Sequence, residues 1–342
     1  KLYNGDNQLS SSFVNNIFQD KDGYMWIATR NGLNRYDGYQ FKILKKENKV
    51  FGITSNYINC VYQDRQGTLF IGTNNGVQKM VNGKFEDITL FRTNGKKIKT
   101  YITGILQLKN GDIIVSSSGY GVMKLKGNYG TPYARIPKNT NYVVHMLEDK
   151  HGQLWLVTEG KGLLCLKGNS IKQYFLSADE KASIKDGDIC EDKKGNIYVG
   201  TNGMGLWKLS NGTKQFALIK STAKMPIKDL YIDHQGNVLL GCDGIGLYVY
   251  YPNTGQLSAN PFYSNDISLP KTKIQTIVED RNGNIWLGMM QKGVFMQPAK
   301  RRNFEYMGPK LGTFNYIGTN CVTSIIQDTR RRLWVGTDKD GL

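Results

Sequence analysis

Eight times along this chain, 41 to 48 residues apart, a tight turn leads into a short apolar strand that ends at a second glycine turn. The first turn is centred on Gly23, Gly67, Gly111, Gly152, Gly195, Gly236 and Gly283, with Arg331 in the eighth place. Seven of the eight copies open it with an aspartate: Asp20, Asp64, Asp149, Asp192, Asp233, Asp280 and Asp328. Asp bonds backbone amides two residues on and Gly tolerates positive φ, so Asp-x-x-Gly is a turn by construction. The strands that follow read MWIAT at 25–29, LFIGT at 69–73, LWLVT at 154–158, IYVGT at 197–201 and IWLGM at 285–289. A lone hairpin of this kind is marginal in water. Whatever explains one copy must explain all eight.

Ahead of each turn lies a further apolar pair spaced by three, such as Val14 and Ile17, Ile58 and Val61, Ile102 and Ile105, Ile227 and Leu230, or Ile274 and Ile277. In the fifth copy, Ile184 and Ile189 are looser matches. Outer strands are expected near residues 39–41, 83–85 and 173–175. Continuous apolar strands bury both faces, as a sheet does when sandwiched between neighbouring sheets. Glycines inside them (Gly72, Gly200, Gly241, Gly288, Gly336) suit close approach between sheets. Trp26, Trp155, Trp286 and Trp334 hold one equivalent position and read as packing residues. The period is that of one four-stranded propeller blade. The expected fold is therefore all-β: a seven-bladed β-propeller of antiparallel four-stranded blades over 1–319, closed by residues 1–3 pairing with the last blade. Residues 320–342 are then the start of an eighth repeat or of a second propeller. A single eight-bladed ring is the alternative.

Composition narrows the function classes. The 342 residues carry 39 Gly and only 8 Pro, with 20 Tyr and 13 Phe, which suits many short strands joined by glycine turns. Lys and Arg total 45 against 28 acids, a net charge of +17 that speaks to anionic partners and not to fold. Nucleic acid is disfavoured because no recognised binding motif is present. Cys60, Cys165, Cys190, Cys242 and Cys321 lack metal-ligand spacing and mostly lie in or beside apolar strands, as small hydrophobes do. No apolar run nears the ~20 residues of a membrane span, and no leader pattern opens the sequence, so a signal or anchor is expected outside it.

The stretch from Asp20 to Asp37 resembles the two-component regulator propeller repeat, with Ala28 for the usual glycine. Residues 280–293 and the segment LSSSFVNNI at 9–17 are similar to the same family. The resemblance spans essentially the whole chain. It implies the periplasmic sensor region of a Bacteroides-type hybrid two-component system, with paired seven-bladed propellers before a membrane helix, histidine kinase and DNA-binding output. It further implies oligosaccharide ligands released from complex glycans, membrane attachment only through regions C-terminal to this sequence, and a homodimer as one assembly.

Catalysis is not expected. A catalytic constellation is single and asymmetric, whereas the turn aspartates recur in seven copies. They also resemble the structural aspartate boxes of sialidase-like propellers, so a sialidase-like hydrolase or lyase is the alternative class, and a protein-interaction propeller a third. His145, His151 and His234 show no ligand spacing, and Asp20 to Gly23 lacks that of a calcium loop. No metal or cofactor is expected.

Ligand contacts are expected in loops that do not repeat. Those joining middle strands supply Arg30, Asn31, Asn74, Tyr120, Lys161, Gln291 and Lys292; those entering inner strands supply Asn56, Tyr57, Tyr101, Tyr142 and Lys273. Aromatic faces stack on sugar C–H surfaces, and amides or cations bond hydroxyls and acids, so this set suits an oligosaccharide, with the net charge favouring an acidic or sulfated one. Basic clusters at 45–46, 96–99, 300–302 and 330–332 read as solvated loops.

Overall fold

The computed structural model describes residues 1–6, 8–133, 136–137, 140–160, 162–176, 184, 187–259, 269–299 and 321–338. They divide into two units, 1–299 and 300–342. The expected boundary after residue 319 falls outside the described residues. No α-helix occurs among them.

The first unit holds seven four-stranded arrays. Blade 1 comprises Val14–Gln19, Met25–Thr29, Gly32–Tyr36 and Phe41–Leu44, paired in that order. Blade 2 runs Ile58–Gln63, Leu69–Thr73, Gly76–Val81 and Lys84–Phe91; blade 3 runs Tyr101–Gln107, Ile113–Ser118, Gly121–Lys126 and Tyr129–Pro132. Blades 4 to 6 begin with the inner strands Val143–Glu148, Gly187–Glu191 and Ile227–Ile232. Blade 7 is Ile274–Glu279, Ile285–Met289 and Gly293–Gln297, completed by Leu2–Tyr3 from the other end of the unit. Leu2 sits opposite Phe295 and Tyr3 opposite Val294. One departure is the join between blades 2 and 3, whose outer strands pair in parallel through Thr89 and Leu90.

Each blade is built from the turn outwards. Asp20 Oδ1 accepts the amides of Asp22 and Tyr24, and its Oδ2 accepts the Trp26 indole N–H at 2.7 Å. The same triple contact joins Asp149 to Trp155 and Asp280 to Trp286. The recurring aspartate therefore fixes the turn and satisfies a buried indole, a structural task. At the far end of the strand, Thr29, Thr73, Thr158 and Thr201 each donate to the carbonyl of the following glycine. In blade 1, the outer strand starts at Phe41 and not at 39, because Asp37 accepts the amides of Tyr39 and Gln40 in a turn.

Blades pack through apolar middle strands, buried at every position in blades 1, 2, 4, 5, 6 and 7. Trp26 packs with Ile58, Val61 and Phe85 of blade 2, and Trp286 with Val14, Ile17 and Tyr36 of blade 1. A Cβ on Gly72 would stand 2.5 Å from Cys60 Sγ and 2.7 Å from Ile102 of the next blade. On Gly288 it would meet Val14 at 2.7 Å, so glycine sets the spacing at these seams.

Polar staples run around the ring on the side of the Asp turns. The residue after each turn aspartate donates its amide to the last side chain of the next inner strand: Lys21 to Gln63, Arg65 to Gln107, Lys150 to Glu191, His234 to Glu279 and Arg281 to Gln19. Lys109 does the same to Glu148, although its copy has Leu108 in the aspartate's place. The side chains of Arg65, Lys109, Lys150 and Arg281 then reach carbonyls of the neighbouring turn, as Lys150 Nζ does to Lys194 at 3.0 Å. At the seam between blades 5 and 6 the acceptor position is Ile232, which has no polar atom to offer. Much of the excess positive charge on this side is thus employed within the fold.

The second unit shows a hairpin of Val322–Gln327 and Leu333–Thr337. Its turn repeats the Asp328 contacts to Arg330, Arg332 and Trp334. The residues at 300–302 lie outside the described set.

Candidate functional site

Inner strands carry a register shift one residue after their first apolar residue in blades 1, 2, 3, 4, 6 and 7. The extra residues are Asn15, Asn59, Thr103, Val144, Lys228 and Gln275. A β-bulge turns its side chain out of the ladder. In the first three blades it spans to the next blade: Asn15 Nδ2 donates to the Ile58 carbonyl at 2.7 Å, Asn59 Nδ2 to Ile102 at 3.0 Å and Thr103 Oγ1 to Val143 at 2.7 Å.

Five of these bulge residues, all but Lys228, line an open cavity of about 490 Å³. Asn15, Asn59, Thr103, Val144 and Gln275 form part of its wall, and Tyr101, Ser118, Tyr142, Val143 and Glu159 the rest. Contributions come from blades 1, 2, 3, 4 and 7, so the cavity lies where inner strands converge. Asn59 is buried and its Oδ1 has no hydrogen-bond partner among the described residues.

Two of the expected contact residues, Tyr101 and Tyr142, line this cavity and are exposed. Tyr57 joins them, with its ring edge-on to Tyr101 at 6.0 Å. Burial and the neighbouring Tyr57 push the Tyr101 phenol well above its ordinary value, so it stays a neutral donor. Arg30 stands beside this group, its guanidinium 4.8 Å from the Phe13 ring centre and 5.8 Å from that of Tyr57.

The remaining expected residues have other surroundings. Asn31 is exposed and caps the Thr29 turn through its amide. Asn56 is held by Glu47 and by the Lys46 amide, and Asn74 Oδ1 accepts from Ser55. Tyr120 accepts from Arg92 at 2.8 Å and packs against the core of blades 2 and 3. Lys273 pairs with Asp243 at 3.0 Å. Gln291 and Lys292 are exposed in their turn, Gln291 with φ of 68°. Lys161 lies outside the described residues.

Sequence reading missed the bulge residues Asn15, Asn59, Thr103 and Gln275, although their signal was present. Val14 and Ile17 both face Gly288 of blade 7, yet a regular strand points residues three apart to opposite faces. Only an inserted residue reconciles the two, and that residue faces the cavity.

On the opposite arc, the buried Asp188 lies beside the half-buried Asp229. Asp188 Oδ2 accepts the Leu230 amide and Asp229 Oδ2 the Ile277 amide, each in the next blade. Burial, with Asp188 beside it, pushes the Asp229 carboxyl well above the usual carboxylate range. His145 Nδ1 lies 2.7 Å from Asp188 Oδ1. Burial pushes this imidazole down, but the Asp188 charge and hydrogen bond outweigh it, leaving its pKa raised. Among the described residues no group of three His, Cys, Asp or Glu is placed to hold a metal ion.

Comparison with known proteins places this architecture. The two component regulator propeller model matches six segments: residues 8–31, 52–75, 137–160, 183–203, 268–291 and 316–339. The chain carries six two component regulator propeller repeats. A histidine kinase P4 of Formosa agariphila is 54% identical over 37 residues, 11% of this chain and 3% of that protein. An extracellular domain assigned to a hybrid two component system of B. thetaiotaomicron superposes with a TM-score of 0.74 at 21% identity, covering 99% of this chain and 46% of that one. A virginiamycin B lyase from Staphylococcus aureus superposes with a TM-score of 0.63 at 11% identity, over 86% of this chain and 97% of the lyase. The regulator propeller chain thus spans about half the length of that extracellular domain. At these identities, the structural likenesses establish the propeller fold alone.

Proposed function

We propose that this regulator propeller is the extracytoplasmic, periplasmic sensor region of a hybrid two-component system, and that it binds glycan-derived oligosaccharides without turning them over. The axial cavity carries the reading. Its volume of about 490 Å³ suits a small ligand, and amides and tyrosines from separate blades converge in it. Tyr101 and Tyr142 offer rings for a sugar face, while Arg30 on the rim suits an acidic substituent. Occupancy would then bias blade packing or dimer geometry, and so a kinase carried by the longer protein. The regulator propeller repeats support the signalling role.

Calorimetric titration tests this. The panel holds neutral xylotetraose, glucuronate-branched xylotetraose, tetragalacturonate and a chondroitin sulfate tetrasaccharide. The reading expects binding of at least one acidic member, weakened by Arg30→Gln. Binding of neutral members alone removes the acidic part, and binding of none removes the sensor reading.

A second reading, a propeller enzyme, draws on the His145–Asp188 contact. A half-exposed imidazole oriented by a carboxylate is a general-base arrangement. Prolonged incubation with the same panel decides: a cleavage product lost in His145→Gln establishes it.

A further inference from the structure

In the axial cavity the donors of Asn15, Asn59 and Thr103 are spent on the ring, and the Asn59 acceptor is left over. Asn59 Nδ2 donates to the Ile102 carbonyl of blade 3 at 3.0 Å, which fixes the amide's orientation, since the reverse rotamer would set two acceptors face to face. Oδ1 is left buried with no partner among the described residues. A buried acceptor without a partner is costly unless something at the site supplies a donor. Neighbouring donors are spent likewise. Asn15 Nδ2 is bound to the Ile58 carbonyl, and the Thr103 hydroxyl lies 2.7 Å from both the Val143 carbonyl and Ser116 Oγ. Glu159 adds a carboxylate to the wall, and no Lys or Arg lines it. The cationic residues near this face are elsewhere: Arg30 lies against Phe13 and Tyr57, Lys273 is paired with Asp243, and Lys228, the bulge residue of blade 6, stands near that same pair and not in the lining.

We infer that Asn59 is a specificity-determining acceptor and that the ligand enters hydroxyls first. An uncharged sugar unit fills the cavity and donates to Asn59 Oδ1, and any acidic unit of the same oligosaccharide stays outside, towards Arg30. This rests on the oligosaccharide reading and adds to it a direction and an excluded class. A sulfate or carboxylate driven to the floor would meet Asn59 Oδ1 with no cation lining the cavity to offset it. Oligosaccharides bearing an acid on every ring are therefore poor ligands. Those with an uncharged end are good ones.

The test uses the chain with two substitutions that the fold already accommodates at equivalent bulges. Asn59→Val copies Val144 of blade 4, and Asn59→Lys copies Lys228 of blade 6. Thermal unfolding and near-ultraviolet circular dichroism confirm that each is folded. The wild type is expected to bind glucuronate-branched xylotetraose at least about tenfold tighter than tetragalacturonate, the worth of one well-made buried hydrogen bond. Asn59→Val loses about tenfold on the branched probe. Asn59→Lys loses that probe too and gains tetragalacturonate. Equal binding of both probes by the wild type, or undiminished binding by Asn59→Val, overturns the inference and leaves the sensor reading standing. No binding of any oligosaccharide by the wild type overturns both.

Discussion

Arg281 reaches across the closure of the ring to Asp20, 261 positions away, donating from Nη2 to the Asp20 carbonyl at 2.7 Å. Its Nη1 donates to the Lys21 carbonyl and its amide to Gln19 Oε1, so one residue of blade 7 holds the whole first turn of blade 1. Arg281→Ala removes the two guanidinium bonds at a partly exposed seam and keeps the amide bond to Gln19. The expected loss is about 1–2 kcal/mol in chemical denaturation, most of it in faster unfolding. A variant as stable as wild type would mean the seam is held by apolar packing alone.

Tyr3 makes the second closure. It is buried, with its ring 5.2 Å from Phe41, 5.6 Å from Tyr36 and 6.2 Å from Trp286. Tyr3→Ala leaves a cavity between blades 7 and 1 and should cost about 3–5 kcal/mol, by analogy with other buried aromatic truncations. Thermal melts read this directly, and Tyr39→Ala is the control, because Tyr39 is almost fully exposed.

The turn aspartate is expected to matter for stability and not for ligand. Asp280→Ala strands the Trp286 indole N–H and two amides, a loss of about 2–4 kcal/mol. If oligosaccharide affinity at a temperature where the variant is folded falls along with stability, the structural assignment fails.

Asp229 gives the fold a pH dependence of defined sign. Its carboxyl binds a proton more tightly when folded than when unfolded. The stability this contributes is fully present below the ordinary carboxylate range and is lost as pH rises through the raised folded value. Asp188, His145 and Cys190 face the same region, and Asp188 takes the hydrogen bond that the proton makes. Asp229→Asn keeps an acceptor for Ile277 and a donor for Asp188 without the proton. Melting temperatures measured from about pH 4 to pH 8 should therefore show the variant gaining on wild type as pH rises. A constant gap between the two contradicts the assignment.

Tyr101 and Tyr142 are exposed on the cavity wall and carry little of the core. Replacing either by Ala should weaken oligosaccharide binding about tenfold, the usual worth of a good aromatic contact, with a melting temperature within a degree or two of wild type. Tyr120→Phe, which removes the contact to Arg92 away from the cavity, should leave affinity unchanged.

What the sequence made legible follows from what each residue answers to. The Asp20 turn, the Trp26 strand and the Gly72 approach recur because every blade poses the same packing problem, so the propeller could be read from periodicity. The site could be read only in part. Tyr101 and Tyr142 stand out as aromatics in loops, but Asn56 and Asn74 look equally suitable and are held by Glu47 and Ser55. Loop position alone does not separate a free amide from one in use. The positive charge was the least informative signal, since Arg65, Lys109, Lys150 and Arg281 spend theirs on carbonyls of the adjoining turn. The bulges were legible in the spacing of Val14 and Ile17, once a period of two is required of a strand.

Blade 7 takes its outer strand from the far end of the unit, and the Lys1 backbone nitrogen donates to the Met296 carbonyl 295 positions away. Six blades can assemble from contacts between near neighbours in sequence, but the seventh cannot. Until residues near 297 are available, Tyr36, Phe41 and the inner face of blade 1 have no cover, however complete the rest of the ring. Such long-range pairing is the slow part of folding a β-protein and its aggregation-prone part. The interval between making blade 1 and sealing it is therefore when a newly made chain most needs a chaperone.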